Sequence, residues 1–131
     1  LGVWIRLLLA GEPFEVWGGE QLRDFTYVDD AVQALMLSVT NPLAAGRVFN
    51  LGGDKPVRLL DLAATLIAAN DDQGKYVTRQ FPGERKRIDI GHYYADDRLI
   101  RETLGWKPAV PLEQGLQLTL DYYRRHLKQY L

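Results

Sequence analysis

"RDFTYVDDAVQALMLSV", residues 23–39, is the stretch whose reading decides the fold. An arginine leads into aromatic and β-branched residues at 25–28, a pattern that favours a strand. Asp29 or Asp30 can then cap a helix on whose face Val32, Leu35, Met36 and Val39 recur at helical spacing. Gln33 stands three residues after Asp30, as in a capping box, and Asn41-Pro42 stops the helix. A short strand running straight into an amphipathic helix predicts a mixed α/β fold rather than a helical bundle.

Working outward, the same alternation continues. Upstream, residues 2–10 read as a helix closed by Gly11 and Pro13, and residues 14–17 as a strand followed by a Gly18-Gly19 turn. Downstream, residues 48–51 read as an apolar strand ending at Gly52-Gly53. A helix follows with Leu59, Leu62, Ala63, Leu66 and Ile67 on one stripe. Alternating Val77, Arg79 and Phe81 predict an edge strand over 75–81. Residues 82–91 form a charged loop, and Asp96 or Asp97 caps a short helix that stops at Leu104-Gly105. Pro111 opens a last helix carrying Leu112, Leu116, Leu120, Tyr123 and Leu127. The whole of 1–131 is expected to be a single domain, lacking the regular β-α-β rhythm of a complete doubly wound sheet.

Composition narrows the function. The chain has 131 residues, 47% apolar and 25% charged, with a formal net charge of -1. That is an ordinary globular balance, with no overall field to draw nucleic acid or an anionic membrane. No apolar stretch is long enough to span a bilayer. The absence of cysteine excludes disulfides, thiolate metal sites and a cysteine nucleophile; it fits a reducing compartment, and a cytoplasmic protein is expected. The chain starts at Leu1 and has a single methionine, Met36, so a fragment of a longer protein is expected.

Much catalytic chemistry is absent. There is no GxGxxG, and the glycine pairs at 18–19 and 52–53 are too short to cradle a pyrophosphate ahead of a helix. Ser38, the only serine, lies inside the amphipathic helix, which argues against a serine–histidine–acid triad. None of the seven tyrosines has a lysine four residues on. His126 reads as solvated surface. His92, near Asp89, Asp96 and Asp97, lacks the spacing of a metal site. No catalytic residue and no metal ligand is assigned.

Two segments suit a phosphorylated, aromatic ligand. "PFEVWGGEQLRDFTYVDD", residues 13–30, offers a strand, a glycine turn and Arg23. "PGERKRIDIGHYYADD", residues 82–97, offers a basic run and two tyrosines. An arginine fork grips a diphosphate with paired charge-assisted hydrogen bonds, and aromatic rings present flat faces to a base or sugar. Each has a plainer reading: Arg23 pairing with Asp24 or Glu20, and Arg85-Lys86-Arg87 as a solvated loop.

"RDFTYVDDAVQALMLSV", "GRVFNLGGDKPVRLLDLA" (46–63) and "GERKRIDIGHYYADDRLIRETLGWKPAVPLEQGL" (83–116) resemble, in order, the C-terminal part of the extended short-chain dehydrogenase/reductases. The resemblance is to the NAD-dependent epimerase/dehydratase family, nearest its UDP-glucose 4-epimerase-like group, with the dTDP-glucose dehydratases beside it. It implies the substrate-binding portion of an extended Rossmann-type enzyme without the dinucleotide-binding half. The NAD loop and the catalytic tyrosine–lysine pair would belong to that other half, so this chain would bind no cofactor itself. The implied ligand is a nucleoside-diphosphate sugar, a UDP-sugar being favoured. Arg23 matches the family's phosphate- or ribose-contacting arginine. Glu15, Val16 and Trp17 match the strand flanking the base, largely through backbone. Lys86, flanked by Arg85 and Arg87, matches a second phosphate position whose register stays open, and Tyr93 a position near the sugar. The resemblance also makes Asn50 and Gly52 the end of a sheet strand, and Gly105-Trp106 a helix stop with an aromatic plug. Arg58 and Pro111 depart from the family's capping residues, the former at a cost of about 1 kcal/mol. Self-association, or docking on the Rossmann half, is expected, through the apolar strand 48–51 and the helix over 59–69. The rival reading is a truncated stand-alone module that binds a nucleotide-sugar or another protein without enzymatic activity.

Overall fold

A computed structural model describes residues 1–81, 83 and 89–130. Among these, the elements in order are α1 (Gly2–Leu9), β1 (Phe14–Trp17), β2 (Leu22–Arg23), α2 (Val28–Thr40), a 3-10 turn (Pro42–Ala44), β3 (Val57–Arg58), α3 (Leu59–Ala68), β4 (Tyr76–Arg79), α4 (Arg98–Leu104), α5 (Leu112–His126) and a closing 3-10 turn (Leu127–Gln129). The strands form two separate pairs. β1 and β4 run parallel, with Phe14 opposite Tyr76 and Trp17 opposite Arg79. β2 and β3 run antiparallel, with Leu22 opposite Arg58 and Arg23 opposite Val57.

Two apolar cores hold these elements. The first gathers Ile5 and Leu8 of α1, Phe14 and Val16 of β1, Leu62, Ala63 and Leu66 of α3, and Leu116 and Leu120 of α5. Trp4 stacks on Phe14 with ring centroids 5.1 Å apart. The stripes expected on α3 and α5 are therefore buried inside this chain. The second core joins Ala34 of α2, Ala44, Ile100 and Leu104 of α4, and Trp106, with Leu37, Phe49 and Leu51 packed against it. Gly105 closes α4 in the left-handed region at φ 67°, as its residue type required.

Three expectations are corrected. Residues 25–28 are not a strand: pairing falls earlier, at Leu22–Arg23, because β3 offers its ladder there, and α2 already starts at Val28. Residues 48–51 are not a strand either. Among the described residues their backbone takes no ladder partner, although Phe49 and Leu51 turn inward and Val48 stays 85% exposed. On α2 the apolar face of Val32, Leu35, Met36 and Val39 is real but uncovered, Val39 being 83% exposed, because the helix packs through Ala34 and Leu37 instead.

The capping chemistry also differs. Tyr27 occupies the N-cap of α2 without a side-chain bond, so neither Asp29 nor Asp30 caps it. Asp30 is buried and reaches across the chain: its Oδ1 accepts from the Ala109 amide at 3.0 Å and its Oδ2 from Val110 at 3.1 Å. Its backbone carbonyl accepts from Trp106 Nε1 at 2.9 Å. At Arg58 no side-chain cap forms. The free amides of Leu59 and Leu60 instead donate to the carbonyls of Gln21 and Gly19, both at 3.1 Å, so the turn after β1 serves as the cap of α3. Arg58 itself forks onto Asp61 and holds that carboxylate below the usual range.

Removing the Asp30 carboxylate strips two amides of their acceptor in a partly buried setting. Asp30→Ala is expected to lower stability by about 2 kcal/mol, with Asp30→Asn costing less, read as a shift in the urea midpoint at constant slope.

Candidate functional site

The site is built around β2, a strand only two residues long with partners on both sides. On one edge lies β3. On the other, Arg23 bridges in parallel to Tyr93, and the Tyr93 amide donates to the Leu22 carbonyl at 3.0 Å. The Leu22 amide donates to His92 Nδ1 at 3.1 Å across a separation of 70 residues. The two segments singled out in the sequence thus meet at one place.

Arg23 is half-buried, and its guanidinium is turned onto the chain's own groups. One terminal nitrogen donates to the carbonyls of Leu22, at 2.8 Å, and Gly91. The other faces the Asp89 carboxylate at 3.6 Å, with both side chains 21% exposed. Neither sequence-level partner is used: Asp24 and Glu20 are engaged elsewhere, Glu20 pairing with Arg58 at 3.4 Å. An incoming anion therefore meets an arginine already oriented, with one competing carboxylate beside it.

The other candidate residues fall as follows. Val16 is wholly buried in the first core, so only its backbone can face a ligand. Glu15 sits on the exposed side of β1 and pairs with Arg79 of β4 at 2.9 Å. Trp17 lies 6.4 Å from Phe81, centroid to centroid, with the rings tilted by 55°. Tyr93 is 63% exposed. Arg85, Lys86 and Arg87 lie outside the described residues.

Three residues that complete the geometry escaped the sequence reading. Gln21 is buried, accepting from the Gly19 amide at 2.7 Å and donating to the Trp17 carbonyl at 3.1 Å, which locks the turn between β1 and β2. Asp24 Oδ2 accepts from Ala95 at 3.0 Å and Gly53 at 3.3 Å, tying three distant segments together. His92 anchors Leu22. Asp24 left a trace in the sequence as a carboxylate next to the chosen arginine, and His92 as a histidine near three aspartates, weighed there only as a metal ligand.

Nearby, Asp96 accepts from the Arg98 amide and pairs with its side chain at 2.5 Å; that hydrogen bonding depresses the Asp96 carboxyl to about 2. Neither glycine pair forms a cradle. A Cβ on Gly18 would strike Gln21 and Phe81 at 2.9 Å, and one on Gly19 would strike Leu60 at 2.5 Å. Gly53 is pressed against the Phe25 backbone. Among the described residues no group of three histidine, aspartate or glutamate side chains converges as for a metal, and no helix is long and apolar enough to cross a membrane.

Comparison with known proteins agrees with this architecture. The sequence model of the NAD dependent epimerase/dehydratase family matches residues 1–52. A dTDP-glucose 4,6-dehydratase of Xanthomonas campestris pv. campestris is 35% identical over 131 residues, covering 88% of this chain and 34% of that protein. The crystal structure of UDP-glucose 4-epimerase from Thermotoga maritima with UDP-glucose superposes with a TM-score of 0.79 at 31% identity, over 95% of this chain and 39% of that one. UDP-glucuronic acid 4-epimerase from Bacillus cereus, in complex with NAD, gives 0.78 at 26% identity, over 96% of this chain and 37% of that one. The mixed α/β fold matches that of Rossmann-like epimerases. By these matches the chain is similar to the NAD-dependent epimerase/dehydratase family, within the extended short-chain dehydrogenase/reductases. It spans about a third of the length of the curated relatives it matches.

Proposed function

We propose that this chain is the C-terminal, nucleotide-sugar-binding part of an NAD-dependent sugar epimerase or dehydratase of the cytoplasm, and that it is catalytically incomplete alone. The observation that carries the reading is the junction of β2 with residues 89–93. It sets Arg23 beside Tyr93 on a rigid support, an anion-gripping fork next to an exposed aromatic ring. The ligand is a nucleoside-diphosphate sugar, with UDP favoured. Arg23 takes a phosphate, helped by the run Arg85 to Arg87; the strand Glu15, Val16 and Trp17 flanks the base; and Tyr93 borders the sugar. In this reading the chain's part is to hold the nucleotide-sugar, not to transfer hydride. In the parent enzyme the dinucleotide, held by the Rossmann half, supplies the transient oxidation of the sugar.

The uncovered face of α2 favours a part of a larger enzyme over a self-sufficient module. Val32, Leu35, Met36 and Val39, with Leu43 and Val48 nearby in sequence, form an apolar surface of a kind soluble monomers seldom leave bare. It lies within residues 1–52, the part that the family's sequence model matches. Its occupant in the parent is the Rossmann half. In the isolated chain a second copy takes its place, through the same face and the unladdered backbone of 48–51. α3, whose stripe is internal, takes no part.

Two measurements follow. In calorimetry at low salt, Arg23→Ala weakens UDP binding about tenfold or more, since a charge-assisted contact is lost; an unchanged dissociation constant, or micromolar NAD binding by the wild-type chain, refutes the assignment. In sedimentation velocity across a concentration series, the chain self-associates, and Leu35→Lys with Val39→Lys returns it to monomer without lowering its melting temperature. A wild-type chain that stays monomeric throughout overturns the docking face.

A further inference from the structure

We infer that His92 is a positioning residue for the Arg23–Tyr93 site and makes nucleotide-sugar binding depend on pH. The inference rests on the nucleotide-sugar reading above. β2 is too short to hold itself in place: its Leu22 is bound by Arg58 of β3 on one side and, on the other, by the Tyr93 amide and the His92 ring. Of these ties only His92 can lose its role by gaining a proton. The Leu22 amide donates to Nδ1, which requires an imidazole with that nitrogen unprotonated and the hydrogen on Nε2. A second proton places an N–H against the Leu22 N–H, turning an attraction into a repulsion at the point where residues 89–93 join β2.

The consequence reaches the ligand groups directly. Tyr93 is the next residue after His92. Arg23, next to Leu22, is held by Gly91 and Asp89 of the same segment. If the segment parts from β2, the arginine loses the carbonyl that orients it and the tyrosine moves off its neighbour. The charged and titratable groups carried by the elements packed here are Arg23 and Asp24 on β2, Arg58 on β3 with its partners Glu20 and Asp61, and Asp89 and Tyr93 on the segment itself. Histidine is the one side-chain type among them that ordinarily changes charge between pH 5 and 8. The stabilising contact belongs to the neutral imidazole, so it is present while Nδ1 is free and lost when that nitrogen gains a proton. His92 is exposed, so protons reach it without prior opening of the fold.

The test uses the full chain and UDP-glucose, whose doubly esterified diphosphate takes up no proton in this range. Calorimetric titrations at pH 7.5 and pH 5.5 compare the wild type with His92→Asn and His92→Leu. An asparagine Oδ1 can accept the Leu22 amide but does not titrate. Wild-type affinity is expected to fall about three- to tenfold at the lower pH, the scale of one hydrogen bond lost. His92→Asn is expected to bind as wild type does at pH 7.5 and to stay flat; His92→Leu is expected to be weak at both. In the ligand-free protein, the Leu22 amide proton should shift with the His92 titration and become static in His92→Asn. Binding whose pH dependence survives in His92→Asn overturns the role of His92 while leaving the nucleotide-sugar reading intact. A complete lack of UDP-glucose binding by every variant at either pH sinks both, and a Leu22 amide indifferent to pH sinks the coupling by itself.

Discussion

Asp30 is the residue on which the two cores hinge. It sits in the first turn of α2, which belongs to the second core, yet its carboxylate grips Ala109 and Val110 immediately ahead of α5, which belongs to the first. Its carbonyl meanwhile receives Trp106, the plug of the second core. The location near the N-terminus of α2 suits a buried negative charge, because the helix dipole and two amide donors together replace the water it has lost. Each core is closed locally by apolar contact, and this side chain ties one to the other.

The site is organised in the same way, by polar ties between segments far apart in sequence rather than by a continuous sheet. Asp24 binds β2 to Gly53 and Ala95, Gln21 closes the glycine turn, and the carbonyls of that turn cap α3. Short strands are economical here because they hold Arg23 from both edges while leaving the ring of Tyr93 exposed. The arrangement also explains how an arginine at the N-cap of α3 is tolerated: the backbone amides it leaves uncapped already have carbonyl partners, freeing its guanidinium for Asp61 and Glu20.

What was legible in the sequence was local periodicity. The stripes of α3 and α5, the glycine stop of α4 and the strand at Phe14–Trp17 all depend on spacings within a few residues, and all are found. What was not legible depends on partners. Periodicity identified the apolar face of α2 but cannot tell whether anything covers it, and among the described residues nothing does. The aromatic run at 25–28 looks more strand-like than Leu22–Arg23, yet the ladder forms where β3 and Tyr93 lie. Asp30 was read as a cap because its true acceptor role spans 79 and 80 residues. Arg23 and Tyr93 both stand in segments that the sequence marks out, whereas Gln21 carries no such pattern and His92 stands out only as a histidine among aspartates, not as a partner of Leu22.

The first core also imposes an order in time on the making of the molecule. Ile5 and Leu8 of α1 lie in the same cluster as Leu116 and Leu120 of α5, so the cover of α1 is complete only when α5 has been made. Until then its apolar side, and β1 awaiting a strand that starts at Tyr76, must remain unsatisfied, the condition under which nascent chains aggregate or recruit chaperones. Closure of this core therefore waits for α5, more than a hundred residues after α1, rather than advancing with each element.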